Sequence, residues 1–171
     1  LCVVGDHGEA FGEHGKGGHD QIPYDEVLWI PCCIRAPMLV QAGTKIIEPT
    51  SSIDLTPTLL GLLGFETASA GFDGINVLGR IPQGRRVYFS GWVREGPSGF
   101  VQGDKKFVHD PISKSLCFYD LAADPGETRR IDLPKEGADA IAESIIAWRK
   151  NTVFRLSQKQ RGRETLFERW L

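Results

Sequence analysis

The stretch that decides the fold is LCVVGDHG at residues 1–8, an apolar run that stops at a glycine and two polar side chains. Residues 1–4 are predicted to form a buried strand, because short continuous apolar runs are typical of the inner strands of a parallel sheet. Asp6 and His7 then follow the carboxyl end of that strand, where an open α/β sheet presents its ligand-binding groups. The glycines on either side permit the bend that brings both side chains together. A carboxylate beside an imidazole predicts a divalent cation site of the zinc, manganese or calcium kind.

Beyond this strand, polar loops alternate with short apolar elements. We predict a helix at residues 9–13, a glycine-rich loop at 14–21, a helix at 24–29 and a buried strand at 31–36. The clearest helix boundaries are those of residues 55–63, since Ser51 to Asp54 include capping residues, Pro57 lies in the first turn and Gly64 follows the end. This alternation is typical of an α/β layer.

The organisation changes after an irregular connection at residues 65–85. Turn signals separate short β-prone runs and predict an antiparallel meander, with strands at residues 86–91, 100–102, 105–109 and 116–120. Apolar residues recur at steps of three and four from Ile141 to Thr152, which predicts an amphipathic helix on one face of this sheet. We therefore divide the chain into an α/β part at 1–85, a small antiparallel β subdomain with its helix at 86–156, and a charged tail at 157–171.

Composition sets few limits on function. The chain has 171 residues, 41% of them apolar and 25% charged, which is typical of a globular protein. A formal net charge of -2 gives no reason to expect a nucleic acid partner. No apolar run approaches the roughly 20 residues that span a bilayer, and the missing initiator methionine indicates a strand from a longer protein. The four cysteines are neither paired nor densely spaced, so we expect buried free thiols at Cys2, Cys32, Cys33 and Cys117.

The longer string around Asp6 carries a specific resemblance to a known family. Its motifs are GDHGEAFGEHG at 5–15, Gly18-His19, Tyr24-Asp25-Glu26, IPCCIRAP at 30–37, SIDLTPTLL at 52–60, FDGINVL at 72–78, FVQGDKKF at 100–107 and FYDLAADPGET at 118–128. In this order they resemble the sulfatase family of the alkaline phosphatase superfamily, nearly continuously over residues 1–150. The resemblance implies the C-terminal part of an alkaline-phosphatase-like α/β sandwich, followed by a small antiparallel sheet packed by a C-terminal helix.

The resemblance also implies roles for four residues. Asp6 and His7 would be metal ligands, supplying half of a site whose other acidic ligands come from a strand outside this chain. His19 takes the position of a Lys or His that contacts the transferred sulfate or phosphate group or protonates the leaving oxygen, roles that a side chain titrating near neutrality can perform. Lys16 is a second candidate for contact with the oxyanion.

Other polar residues of these motifs are expected to be structural. We expect His14 to make a structural hydrogen bond rather than to bind metal. Glu9 and Glu13 have helical spacing and are expected to orient neighbours or to face solvent. Asp54 is expected to cap the helix that follows it.

The family's nucleophile is not found in these 171 residues, which contain no cysteine or serine followed by x-Pro-x-Arg. A nucleophile that a metal activates must lie beside that metal, so we expect the fragment itself to be inactive. Its expected partner is the missing N-terminal half of the same protein. Removing neighbouring strands exposes a sheet edge, which predicts a homo-oligomer or disorder at residues 6–20.

For the full-length protein the resemblance implies a metal-dependent sulfatase that hydrolyses sulfate esters. An Asp-His pair in place of the Asp-Asn pair of many arylsulfatases leaves a second class open, which comprises phosphodiester or phosphonate monoester hydrolases and phosphoethanolamine-type transferases. A third alternative is a non-catalytic binding module with a vestigial metal site, because a fold and a partial site do not establish activity.

Overall fold

The computed structural model describes residues 1–91 and 96–167, with side chains described for all of these except 135, 136 and 156–167. Its regular elements are β1 (Cys2–Val4), β2 (Ala10–Phe11), a 3₁₀ turn (Glu13–Gly15), β3 (Gly17–Gly18), α1 (Asp25–Leu28), β4 (Cys32–Ile34), a second 3₁₀ turn (Ser52–Asp54), α2 (Leu55–Leu62), β5 (Val87–Ser90), β6 (Ser98–Gln102), β7 (Lys105–Asp110), β8 (Ser115–Asp120), β9 (Ile131–Asp132) and α3 (Lys135–Phe167). Among the described helices, none has the length and apolar character needed to cross a membrane.

Strands β5 to β9 form a five-stranded sheet in sequential order, and every neighbouring pair is antiparallel. The predicted meander is therefore confirmed, and β9 adds a short edge strand that the sequence analysis did not predict. Helix α3 packs on one face of this sheet, where Ile145 is completely buried against Phe100 and Leu116. Trp148 stacks on Tyr88 with ring centroids 4.9 Å apart. The predicted amphipathic helix is confirmed, and it extends through Phe167 into the stretch expected to be a charged tail.

The opposite face of the sheet contacts the N-terminal part of the chain. Val108, Cys117 and Tyr119 form a second buried cluster, against which Tyr24 packs from the segment just before α1. The rings of Tyr24 and Tyr119 meet edge to face with centroids 6.0 Å apart. The sheet thus lies between α3 on one side and the segment that carries α1 on the other.

Strand β1 does not lie inside a parallel sheet in the described part of the chain, so its burial in the longer protein stays a prediction. Among the described strands it pairs only with β4, antiparallel, and Val4 lies opposite Cys32. Two strands without a covering layer cannot bury both faces, and Val3 is exposed accordingly. The same geometry exposes Cys32 and Cys33, which were expected to be buried, whereas Cys117 in β8 is a buried free thiol as predicted.

The prediction of a helix at residues 9–13 was also wrong. Ala10 and Phe11 instead pair with Gly18 and Gly17 in a short β-hairpin. The physical reason is the turn between them, in which Gly12 has a φ of 125° and Gly15 a φ of 66°. Glycine adopts such angles readily, whereas other residues do so at a cost. The predicted helix at 24–29 and strand at 31–36 are confirmed as α1 and β4.

The 3₁₀ turn that precedes α2 begins at a capping box. The Asp54 carboxylate accepts a hydrogen bond from the Ser51 backbone N–H at 2.8 Å, while the Ser51 side chain satisfies the backbone of Asp54. The same carboxylate pairs with both terminal nitrogens of Arg85, at 2.8 and 2.6 Å, and accepts the Ile75 N–H at 2.9 Å. The prediction that Asp54 caps α2 was therefore wrong, because its side chain makes no cap hydrogen bond to that helix. Asp54 is a structural residue that ties the start of α2 to the irregular connection that follows.

Candidate metal and substrate site

The segment that follows β1 passes very close to the backbone of α1 at Gly8. Gly8 donates its backbone N–H to the Val27 carbonyl at 2.8 Å. A Cβ atom at Gly8 would lie 2.1 Å from the carbonyl oxygen of Glu26, so a glycine is required where the chain passes α1. This close approach fixes the position of the preceding residue, His7, in the lining of a cavity of about 1010 Å³.

The His7 ring is oriented by its own backbone neighbour. Its Nδ1 lies 2.7 Å from the Gly8 carbonyl oxygen, so Nδ1 carries the proton and Nε2 holds the free lone pair of the neutral ring. This hydrogen bond raises the pKa of His7, burial opposes it, and the charges of Asp6, Glu9 and Asp20 raise it further. His7 therefore presents a well-defined donor atom to the cavity.

Asp6 lies beside that ring but faces solvent. Its side chain is 92% exposed, and one carboxylate oxygen is 3.8 Å from His7 Nε2. The other oxygen accepts the His7 backbone N–H at 3.1 Å. Backbone N–H groups of Asp6 and His7 hold the pKa of this carboxyl below its usual range. The carboxylate is thus ionised at neutral pH, as a metal ligand must be.

The hairpin of β2 and β3 brings a second histidine to the same place. Ala10 pairs with Gly18, so the residues that flank this pair, Glu9 and His19, face each other across the hairpin. His19 Nδ1 lies 3.0 Å from the Glu9 carboxylate. The His19 ring stacks on that of His7, with centroids 3.9 Å apart and planes inclined by 25°.

These contacts produce a cluster that the sequence analysis did not predict as such. One ligand atom from each of His7, Glu9 and His19 lies within 4.8 Å of the other two. Glu9 orients a neighbour, as expected, although from a strand end rather than from a helix. Had the hairpin been recognised from Gly12 and Gly15, the pairing of Glu9 with His19 would have followed from its register.

Lys16 has a different environment from the other three predicted site residues. Asp6, His7 and His19 all line the cavity, whereas Lys16 is not among the described residues that do. It is exposed and follows the 3₁₀ turn at the tip of the hairpin. The structure brings three of the four predicted residues together and leaves Lys16 outside.

His14 anchors the hairpin to the rest of the molecule. Its Nδ1 is 2.9 Å from a Glu26 carboxylate oxygen, and its Nε2 is 3.1 and 3.2 Å from the carbonyl oxygens of Gly126 and Glu127. The ring also stacks on Tyr24 at 3.7 Å. Burial lowers the pKa of His14, but the Glu26 carboxylate and the two carbonyls outweigh it and raise the pKa above its ordinary value. The structural role expected for His14 is confirmed.

A buried charge cluster holds α1 against the sheet. Lys106 of β7 is completely buried, with its Nζ 2.7 Å from Asp25 and 2.6 Å from Glu127. The second Glu127 oxygen accepts the Asp25 backbone N–H at 2.7 Å. Burial raises the pKa of Glu127, although the Lys106 charge opposes this. The sequence analysis missed this cluster, because its members are 81 and 102 residues apart and lie in three separate motifs.

Known proteins resemble this chain over both of its parts. The family model described as Sulfatase matches residues 1–65. The uncharacterized sulfatase YidJ of Escherichia coli (strain K12) is 31% identical over an alignment of 140 residues, which covers 77% of this chain and 27% of that protein. The chain thus spans about a quarter of the length of this curated relative.

Two solved structures share the fold. The crystal structure of a sulfatase-like protein of Bacteroides thetaiotaomicron VPI-5482 matches with a TM-score of 0.66 at 22% identity, over 94% of this chain and 37% of that one. A 2-O GAG sulfatase matches with a TM-score of 0.67 at 21% identity, with the same coverage. The predicted fold class, that of the alkaline-phosphatase-like sulfatases with a small antiparallel sheet and a C-terminal helix, is confirmed. The family resemblance recognised in the sequence is confirmed as well, since the Sulfatase family model matches residues 1–65.

Proposed function

We propose that this chain is the C-terminal part of a metal-dependent sulfatase that hydrolyses sulfate esters. Asp6 and His7 serve as metal ligands, and His19 acts on the transferred sulfate group. The observation that supports this most is the stacking of His19 on His7, with ring centroids 3.9 Å apart, in the lining of one cavity. A residue expected to reach the substrate and a residue expected to bind the metal thereby share one location.

The residues present fit a divalent ion. Asp6 offers an ionised carboxylate and His7 offers Nε2, both of them donors that divalent cations accept. When bound, the ion would act as a Lewis acid that offsets charge on the sulfate oxygens. Further ligands must come from residues outside this chain, since these two donors alone do not complete a coordination shell.

His19 is suited to contact a substrate because, among the contacts of the described residues, its Nδ1 alone is engaged. Nδ1 is held by Glu9, which leaves Nε2 to donate to or accept from a sulfate or leaving-group oxygen. The side chain is 45% exposed, so a substrate in the cavity can reach it. Lys16 stays a proposal of lower rank, because it lies outside the cavity lining.

The nucleophile belongs to the part of the protein outside these 171 residues, and we expect no turnover by the chain alone. Its role within the complete protein is to supply ligands and to position His19. The Asp6-His7 pair keeps phosphodiester and phosphonate monoester hydrolysis, or phosphoethanolamine transfer, as the second candidate. A non-catalytic module with a vestigial metal site is the third.

The test is esterase activity of the complete protein against an aryl sulfate, a phosphate diester and a phosphonate monoester, with Mn²⁺, Zn²⁺ and Ca²⁺ added separately. We expect metal-dependent sulfate release, and we expect His7→Ala to lower it by more than the 10- to 100-fold loss, roughly, that changes around metal ligands cause. Asp104→Asn is the matched control, because Asp104 is an exposed carboxylate in the β6–β7 turn. Phosphoester turnover without sulfate release would favour the second candidate, and metal binding without any turnover the third.

A further inference from the structure

Glu127, in the loop after β8, has a backbone and a side chain that are both unfavourable for a glutamate. Its φ of 51° lies in the left-handed region that favours glycine. Only 3% of the residue is exposed, and burial raises the pKa of its carboxyl, although the Lys106 charge opposes this. A residue in such a conformation persists where the surrounding contacts require it, and these positions are concentrated at functional sites.

The Glu127 side chain fixes the start of α1. One carboxylate oxygen accepts the backbone N–H of Asp25, the first residue of that helix, at 2.7 Å. The other oxygen lies 2.6 Å from Nζ of the completely buried Lys106, which also pairs with the Asp25 carboxylate. The position of α1 relative to the sheet therefore depends on this carboxylate.

Helix α1 in turn holds the segment that carries His7. The Val27 carbonyl accepts the Gly8 N–H at 2.8 Å, and a Cβ atom at Gly8 would lie 2.1 Å from the Glu26 carbonyl oxygen. Because the two backbones are this close, a shift of α1 also moves Gly8. The Gly8 carbonyl oxygen lies 2.7 Å from His7 Nδ1 and orients that ring. An unbroken series of contacts thus joins Glu127 to His7.

The backbone of Glu127 also contacts the hairpin that carries His19. Its carbonyl oxygen lies 3.2 Å from His14 Nε2, and His14 has a left-handed φ of 51° as well. Glu127 therefore contacts elements that support both histidines of the candidate site. It is not itself among the described residues that line the cavity.

We propose that Glu127 is a positioning residue of the metal site, whose carboxylate sets the position of α1 and thereby the orientation of the metal ligand His7. This inference rests on the proposed function, in which His7 binds the ion. Groups that orient a metal ligand typically change metal affinity by about 10- to 100-fold. Glu127 acts through α1 rather than on the ring itself, so we expect an effect at the lower end of that range.

The test compares two variants of the complete protein that differ in the acceptor offered to the Asp25 N–H. Both carry Lys106→Met, because replacing both charges of a buried pair is tolerated better than removing one. Glu127→Gln keeps an acceptor oxygen, whereas Glu127→Leu has none. In metal-free protein we expect the Gly8 amide hydrogen to exchange about 10-fold faster with Leu than with Gln. Calorimetric titration should show Mn²⁺ binding weakened by about 10-fold with Leu and retained with Gln.

The Phe100 amide, in the sheet, is the internal reference for general loss of stability. Equal exchange at Gly8 in the two variants would overturn the proposal, and so would an equal acceleration at Phe100 in the Leu variant. A wild-type protein that does not bind Mn²⁺ would count against the metal ligands of the proposed function. The exchange comparison in metal-free protein would then still decide the role of Glu127, so the two proposals fail separately.

Discussion

The two parts of this chain differ in the size of the apolar cores that they bury. Residues 86–156 bury large apolar residues such as Phe100, Leu116 and Ile145 between the sheet and α3. Residues 1–85 have a smaller apolar cluster of Ala10, Ile22 and Val27. They bury Asp54 and Thr58 almost completely, while Val3, Trp29 and Ile47 are exposed. The first part is thus positioned by a few specific polar contacts and the second by a packed core, which makes geometry in the first part sensitive to single charged groups.

The largest expected effect concerns the contact between the two parts, which Lys106 makes with Asp25 and Glu127. Removing one partner of a buried ion pair leaves the others uncompensated, so Lys106→Ala should lower the free energy of unfolding by about 3–5 kcal/mol. Lys105→Ala is the control, because Lys105 is the exposed neighbour on the same strand. Denaturant unfolding of both variants measures the difference. Equal effects would mean that the Lys106 contacts with Asp25 and Glu127 do not hold the parts together.

A second prediction compares the same residue type in the two parts. Ile145→Ala removes a completely buried side chain from the sheet–helix core and should cost about 2–5 kcal/mol. Ile47→Ala removes a side chain that is 87% exposed and should change stability by at most about 0.5 kcal/mol. Urea denaturation of both variants is the measurement, and a large effect of Ile47→Ala would show that the apolar surface of the first part is covered in solution.

The polar contacts of Asp54 at the start of α2 predict a third, smaller effect on the free energy of unfolding. Burial alone would raise the pKa of Asp54, but Arg85 and the N–H groups of Ile75 and Ser51 outweigh it and lower the pKa. Because hydrogen bonds to charged groups contribute about 1.5–3 kcal/mol, Asp54→Asn should destabilise by that amount at neutral pH. The difference should vanish as the pH falls through the lowered pKa, since the wild-type carboxyl then loses its charge as well.

Asp73→Asn is the control for that measurement. Asp73 pairs with Arg155, and both side chains are about half exposed, so the loss should be at most about 1 kcal/mol. Chemical denaturation over a series of pH values tests both variants. A pH-independent loss in Asp54→Asn would contradict an electrostatic origin.

The smallest predicted effect concerns the His14 anchor. The folded pKa of His14 is raised, so its contribution is fully present below about pH 6.5 and is lost as the pH rises through the folded pKa. Relative to His14→Gln, the wild type should gain on the order of 1 kcal/mol at acidic pH and less at alkaline pH. Unfolding of the two proteins at several pH values measures this, and the opposite trend would refute a protonated His14.

The sequence predicted those elements whose signals are local. The meander follows from turn residues and α3 from its apolar period, and both are set by neighbours within a few residues. The motif at residues 5–19 indicated Asp6, His7 and His19 before any coordinates, and these three do line one cavity. The predicted burial of residues 1–4 inside a parallel sheet is not seen, because it depends on neighbouring strands and the described residues provide only β4.

The long-range polar contacts could not be predicted from local pattern. In the sequence, Lys106 looks like any polar residue of a strand with one exposed face. Its burial is possible because Asp25 and Glu127 approach its charged group. The spacing of Glu9 and Glu13 predicted a helix. Because the β2–β3 hairpin was not predicted, the position of Glu9 opposite His19 was not predicted either. In both cases the information lies in which segments meet rather than in the residues themselves.

The contacts of His14 also have a consequence for the order in which the protein folds. They join residues 112 and 113 positions apart, whereas the sheet of β5 to β9 is built from consecutive hairpins. Closing a long loop costs entropy that only later contacts recover, so local hairpins form first. On a ribosome the segment with Asp6 and His7 emerges before residues 126 and 127, yet its hairpin cannot be fixed until they have been synthesised. The hairpin that carries His14 is therefore synthesised before residues 126 and 127 but is fixed in place only after them.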